Sequence, residues 1–188
     1  MPVIQIHVME GYDEAAKSRL CAALSSAARL VVPAPTEAVT VLVQEGSPSG
    51  YMRGQAPRVP APALPGPGQI IREFLGAMEA RDLEKARGYL GEGFQMVFPG
   101  TGVMSELDEL IAWSKPRYRF VKKTYEGFDT LQSEGEAAIV YARGTLSGEW
   151  LDGTAFSDIR FIDRFELIGG KITKQDVWND MAEVKAKT

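Results

Sequence analysis

The chain has 188 residues, 45% of them hydrophobic, 24% charged and 9% aromatic, the make-up of a globular protein able to bury a core. With 21 basic against 25 acidic residues the formal charge is −4; no clustered cations serve phosphate, and nucleic acid is excluded as an expected partner. One Cys (Cys21) excludes an internal disulfide, one His (His7) excludes the familiar zinc arrangements, and no apolar run reaches the roughly 18–20 residues that cross a bilayer. No metal, no cofactor and no membrane are expected. The start Met1-Pro2-Val3-Ile4-Gln5 has no basic leader, which places the expected location in the cytoplasm.

Val3 to Met9 is a β-branched-rich run and predicts a strand, which Gly11 ends. Asp13 is a candidate N-cap for a helix in which Leu20, Leu24, Ala27, Ala28 and Val31 recur at helical spacing until Pro33 and Pro35. Ala38 to Glu45 predicts a second strand, and a crossover of this length makes the two strands parallel. Six of the eleven prolines then fall between residues 48 and 67, so APRVPAPALPGPG reads as a semi-extended linker. The expected division is 1–54 for a small β-α-β domain, 55–68 for the linker and 69–188 for a larger domain.

In the larger part, Ile70, Phe74, Leu75 and Met78 share a stripe of a helix over 69–80, and Asp82 caps a second helix through Leu90. Phe94 to Phe98 predicts a short strand, and Ser105 with Asp108 a third helix start. Lys115 to Lys123 (KPRYRFVKK) reads as a solvated helix end. Strands follow over 127–132, 137–151 and 156–167, and Gly169-Gly170 turns the chain into a last strand from Lys171 to Trp178. Helices before a run of antiparallel strands describe an α+β fold, with a curved sheet wrapped on helices around one pocket.

Along 157–167, alternation puts Ile159, Phe161, Asp163, Phe165 and Leu167 on one face. Asp163 is the odd member. Among apolar neighbours its carboxyl is driven toward the neutral form, a setting for a general acid or base, or else it pairs with an arginine or caps a backbone group. In the last strand Lys174, Asp176 and Trp178 share one face and Thr173, Gln175 and Val177 the other. Trp113, Trp150, Trp178 and Phe98 read as core or pocket wall.

The opening PVIQIHVMEGYDEAAK, the helix to Pro35, the strand AVTVLVQE and the closing Gly50-Tyr51 resemble the 4-oxalocrotonate tautomerase family over residues 2 to about 54. The resemblance implies that Met1 is removed and that the freed Pro2 amine moves a proton between carbon and oxygen of an enol or keto acid. An α-amino group titrates near 7.7–8.0, within reach of neutral pH, so that chemistry is physically open to it. The positions at which family members clamp dicarboxylates with arginine are here Tyr12 and Thr40, which favours a monoacid or neutral carbonyl. Tyr51 keeps the aromatic wall. Arg53 is the nearby cation, either a carboxylate partner or a solvated side chain.

From Ile70 to Ala186, GTLSGEWLDG and IRFIDRFELIGGKITKQDVWNDMAE look like the SnoaL-like polyketide cyclase family, whose cone-shaped fold is shared with ketosteroid isomerases and nuclear transport factor 2. This implies a pocket in which a His and an Asp are common near the last strand. Gln175 stands roughly where that His is expected, and Asp176 is off by one in register.

Three functions fit these readings. First comes a tautomerase or isomerase using Pro2, with Tyr12, Thr40, Tyr51 and Arg53 around a small-molecule substrate, a hydrophobic monoacid or carbonyl compound. Second comes a non-catalytic binding and assembly protein. Third comes a SnoaL-like isomerase or cyclase with Asp163 or Asp176 as the acid or base on a small apolar carbonyl or cyclic compound, and with Asp176 and Trp178 against that substrate. A two-stranded sheet under one helix cannot cover its own second face, so a homo-oligomer is expected, a hexamer ahead of a dimer.

Overall fold

In the computed structural model, described over residues 1–186, the chain forms two compact units, Met1–Leu64 and a second from Pro65 on. The first contains β1 (Val3–Met9), α1 (Glu14–Arg29), β2 (Thr40–Gly46) and a short hairpin of β3 (Met52–Arg53) and β4 (Ala56–Pro57). β1 and β2 run parallel in register from Val3↔Thr40 to Met9↔Gly46. Asp13 caps α1, its carboxylate accepting from the Ala16 amide at 2.7 Å. The helix ends at Arg29, short of the expected Val31, because Pro33 and Pro35 cannot continue it. Leu30 and Val31 are consequently exposed. β2 starts at Thr40 rather than Ala38, since Thr36–Ala38 form a single 3-10 turn after Pro35.

The proline-rich stretch is tied to the first unit up to Leu64. The Arg19 guanidinium donates to the Leu64 carbonyl at 3.0 Å. A Cβ on Gly11 would meet Pro60 at 3.1 Å, so that glycine makes room for the returning chain.

The second unit has helices α2 (Pro67–Glu79), α3 (Leu83–Arg87), α4 (Leu107–Ser114) and α5 (Met181–Lys185) against a six-stranded sheet. Its strands are β5 (Leu90–Val97), β6 (Val103–Met104), β7 (Tyr118–Gln132), β8 (Ala138–Trp150), β9 (Ala155–Ile168) and β10 (Lys171–Asn179), in the order β6-β5-β10-β9-β8-β7. All neighbours are antiparallel except β5 and β10. Asp82 caps α3 as the sequence predicts, but that helix stops at Arg87 and Leu90 already belongs to β5. The third helix is capped by Glu106 and Glu109 in a reciprocal box, not by Ser105 and Asp108; the carboxylate of Glu109 accepts from the amides of both Ser105 and Glu106.

The largest difference is β7. The segment expected to be a solvated helix end is largely strand, starting at Tyr118 and pairing with β8 over its whole length. Register shifts between Tyr118 and Phe120 and between Tyr125 and Gly127 break its alternation, which hid it from a period-two reading. Across from it, Gly144 and Gly148 let the β7 backbone come close: a Cβ at either would collide with the carbonyl oxygen of Thr124 or Phe120. The bulges and close approaches curve the sheet over α2 and α4. Between sheet and helices lies a core that includes Ile71, Phe74, Met96, Leu107, Phe165 and Ile172. A second cluster of Leu146, Trp150, Phe156, Ile159, Phe161 and Met181 closes the other end. No helix among the described residues is long and apolar enough to cross a membrane.

Candidate functional site

β9 lies between β8 and β10, and the apolar side chains of its inward face pack into the two core clusters. Ile159, Phe161, Phe165 and Leu167 are buried there as the alternation predicts, and Asp163 among them is 0% exposed. A lone carboxylate in such a place is expensive, and a cation answers it. The partner is Lys123 of β7, whose ammonium contacts Asp163 Oδ2. Lys123 also stands 4.5 Å from the centre of the Phe161 ring, a second favourable place for a cation. Burial pushes the Asp163 carboxyl up from its ordinary value, against the pull of Lys123 and of the Gln175 side chain. Asp163 Oδ1 and Gln175 Oε1 are both buried acceptors that receive no hydrogen bond within the described protein.

Lys123 opens onto a cavity of about 140 Å³. Its walls are Phe74, Leu75 and Met78 of α2, Phe98, Leu110, and Val121 and Tyr125 of β7, while Gln175, Ser114 and Tyr118 bring polar atoms. Burial, with Asp163 and Glu79 near, pushes the Tyr125 phenol up, and burial raises that of Tyr118 as well. Both therefore remain protonated hydrogen-bond donors at neutral pH. Glu79 and Arg81 set one charge of each sign on the lining. An amine and two phenols on an apolar cavity, with a carboxyl of raised proton affinity behind the amine, can move a proton and stabilise an oxyanion.

Asp163 thus sits where the alternation puts it, but behind Lys123 rather than on the cavity wall. The other expected residues of this unit stand elsewhere. Asp176 lies on the opposite face of β10 from buried Gln175, 3.4 Å from Arg164 and 3.2 Å from Lys174. Trp178, expected in core or pocket wall, is 53% exposed on that same face. Gln175 takes the inward place in β10, and it has no titratable proton. The residue missed is Lys123. The signal was present: Asp163 needed a counter-charge, and read as a strand, Val121, Lys123 and Tyr125 share a face.

In the first unit, Pro2 lies beside Thr40, whose amide donates to the Pro2 carbonyl at 3.0 Å. While Met1 precedes it the Pro2 nitrogen is an amide without useful basicity, and only removal of Met1 would free an amine there. Tyr51 lines a concavity with His7, Met9, Glu45 and Ser47 at the far end of β1, about 20 Å from Pro2 at the rise of a strand. Tyr12 is half-buried beyond that end and Arg53 is exposed on β3. One chain therefore does not gather Pro2, Thr40 and Tyr51 at a single point.

No protein-family model and no curated protein matches the sequence. Solved structures do. A nuclear transport factor 2-like protein of unknown function from Burkholderia pseudomallei is 20% identical, with a TM-score of 0.55, over 65% of this chain and 97% of that one. TerC, crystallised with polyporic acid, is 15% identical with a TM-score of 0.51 over 64% and 97% of the two chains. A candidate polyketide cyclase from a Silicibacter species is 14% identical with a TM-score of 0.50 over 66% and 96%. These matches bring nothing to the tautomerase resemblance of the first unit. What they establish is the architecture: the chain carries a mixed α and β, curved-sheet fold of the nuclear transport factor 2-like kind.

Proposed function

We propose that the chain works from its larger unit as a proton-transfer enzyme of isomerase or cyclase type on a small, flat carbonyl compound. The observation that carries this reading is the Lys123–Asp163 pair opening on an apolar cavity. The fold itself hosts many chemistries and decides nothing. A cavity of this volume is in the range that accepts a benzene-sized ring. Asp163 takes a proton from Lys123, leaving an amine that accepts one from the carbon next to the substrate carbonyl. Tyr118 and Tyr125 donate to the oxygen on which charge develops, and the reverse transfers return the proton elsewhere on the substrate. Lys123 is the catalytic residue and Asp163 a positioning residue acting through it.

The test is exchange of α-protons of phenylpyruvate in deuterated water, followed by NMR. Lys123→Met is expected to lower the protein-dependent rate about 10²–10⁴-fold, the usual worth of a positioned acid or base. Exchange at the wild-type rate in that variant overturns the reading.

A second reading keeps the first unit active, supported by the parallel β-α-β pairing that sets Thr40 beside Pro2. It requires loss of Met1, and intact-mass measurement of the native protein checks that. If Pro2→Ala abolishes exchange while Lys123→Met does not, the first unit is the enzyme.

A further inference from the structure

The Lys123 side chain is only 20% exposed, and its amine faces apolar walls, a buried carboxyl and two phenols. Lysines held this way do more than relay protons. An unprotonated amine in a cavity that admits carbonyl compounds is a nucleophile toward them. We infer that Lys123 captures aldehydes and ketones of the cavity as a covalent imine, with Asp163 as the proton carrier. This rests on the site of the proposed function but adds a bond that proton transfer alone does not need.

The step balances. The Lys123 ammonium gives a proton to Asp163 Oδ2, and the amine nitrogen attacks the carbonyl carbon, forming the C–N bond as the carbonyl electron pair moves to oxygen. That oxygen takes up the proton lost by nitrogen, giving a carbinolamine. Asp163 then returns its proton to the hydroxyl, the C–O bond breaks, water leaves, and the nitrogen pair forms the protonated imine. Ammonium and carbonyl have become iminium and water, with one positive charge at the start and one at the end, and a neutral amine or carbinolamine beside a protonated Asp163 in between. The ion pair with Asp163 is therefore the same before and after, and the buried carboxylate is never stranded.

Two further features fit this course. Gln175, on the cavity lining, carries in Oε1 a buried acceptor without a donor, and Asp163 Oδ1, behind Lys123 and off the cavity wall, is a second one. The carbinolamine hydroxyl and the departing water carry the O–H groups such acceptors take up. The neighbouring Lys122 is exposed on the outer face of the same strand, so the chain contains its own reference amine.

The test uses the full chain with benzaldehyde and sodium cyanoborohydride, read by intact mass and peptide mapping. Benzaldehyde has no α-hydrogen, so a trapped adduct reports the imine and not enolisation. The expected result is one benzyl group on Lys123, formed about tenfold or more faster than on Lys122, as pre-association in a cavity confers. Lys123→Arg, which keeps a cation against Asp163 but cannot form the bond, is expected to lose that fast phase while retaining a wild-type circular dichroism spectrum. Labelling of Lys123 no faster than Lys122 overturns the inference, and so does an undiminished fast phase in Lys123→Arg. If labelling fails while phenylpyruvate exchange still depends on Lys123, only the imine falls; if both fail, the proposed function falls with it.

Discussion

The two units of this chain differ in how they hold their shape. Among the described residues every buried side chain belongs to the second unit, and the first, 64 residues long, has none. Yet the first has a well-formed parallel pair, a capped helix and a hairpin. Local pattern and backbone hydrogen bonds can thus be complete while the hydrophobic term that must offset chain entropy is missing. A strand, helix and strand without a sealed core need a covering surface, and we expect further copies of the chain to provide it.

The sharpest contrast is a core deletion. Phe165 is fully buried and meets Phe74 edge-on at 6.0 Å, so Phe165→Ala is expected to cost about 3–5 kcal/mol in urea denaturation. Leu30→Ala, at 88% exposure in the first unit, should stay within about 0.5 kcal/mol. Equal losses would erase the distinction between the units. Next in size is Gly144→Ala, where the new methyl group collides with the Thr124 carbonyl; about 1–3 kcal/mol is expected, with loss of the β7–β8 register visible by amide exchange.

A pH series tests the buried pair. The folded Asp163 carboxyl binds its proton more tightly than the unfolded one, whose ordinary value is 3.8. Between those two values the native state holds the extra proton, so this group's contribution to stability falls as pH rises through the window. Asp163→Asn, which cannot titrate, should flatten the denaturation midpoint across it; an unchanged slope means that the carboxyl is not perturbed. The smallest effect compares two equivalent caps, Asp13→Ala and Asp82→Ala, each losing a side-chain bond to a helix amide and about 1 kcal/mol. The loss at Asp13 should grow on dilution and that at Asp82 should not. Light scattering supplies the frame: a mass of about two chains of 20.6 kDa instead of six would leave the hexamer wrong.

Regular stretches were legible in the sequence, and interrupted ones were not. From Ile159 to Leu167 β9 alternates without a break, so its buried face there, with Asp163 as the polar exception, followed from period two alone. β10 shifts register between Ile172 and Lys174, and which face turned inward beyond that point could not be read without its neighbours; Asp176 and Trp178 went to the outside. β7 failed because its bulges change the phase of the pattern twice. With β7 misread, the cation answering Asp163 was invisible, and so was the cavity it borders. In the first unit the strand, helix and strand could be read from spacing but the β3–β4 hairpin could not, since Ala56-Pro57 opens the proline-rich stretch; the convergence of Pro2, Thr40 and Tyr51 is not met within one chain.

The bulges of β7 also bear on how this site withstands change. Lys122 and Lys123 are consecutive, and they lie between the two irregular points of the strand, where an inserted or deleted residue is most easily absorbed. Such an event slides the intervening segment by one position and exchanges its faces. In most strands that would swap the functional side chain for its neighbour of different chemistry. Here a slip in one direction retires Lys123 and presents Lys122, an identical amine, to the inner face, so the buried carboxylate keeps a counter-ion. The doublet makes the strand tolerant of the very length changes that its bulges invite.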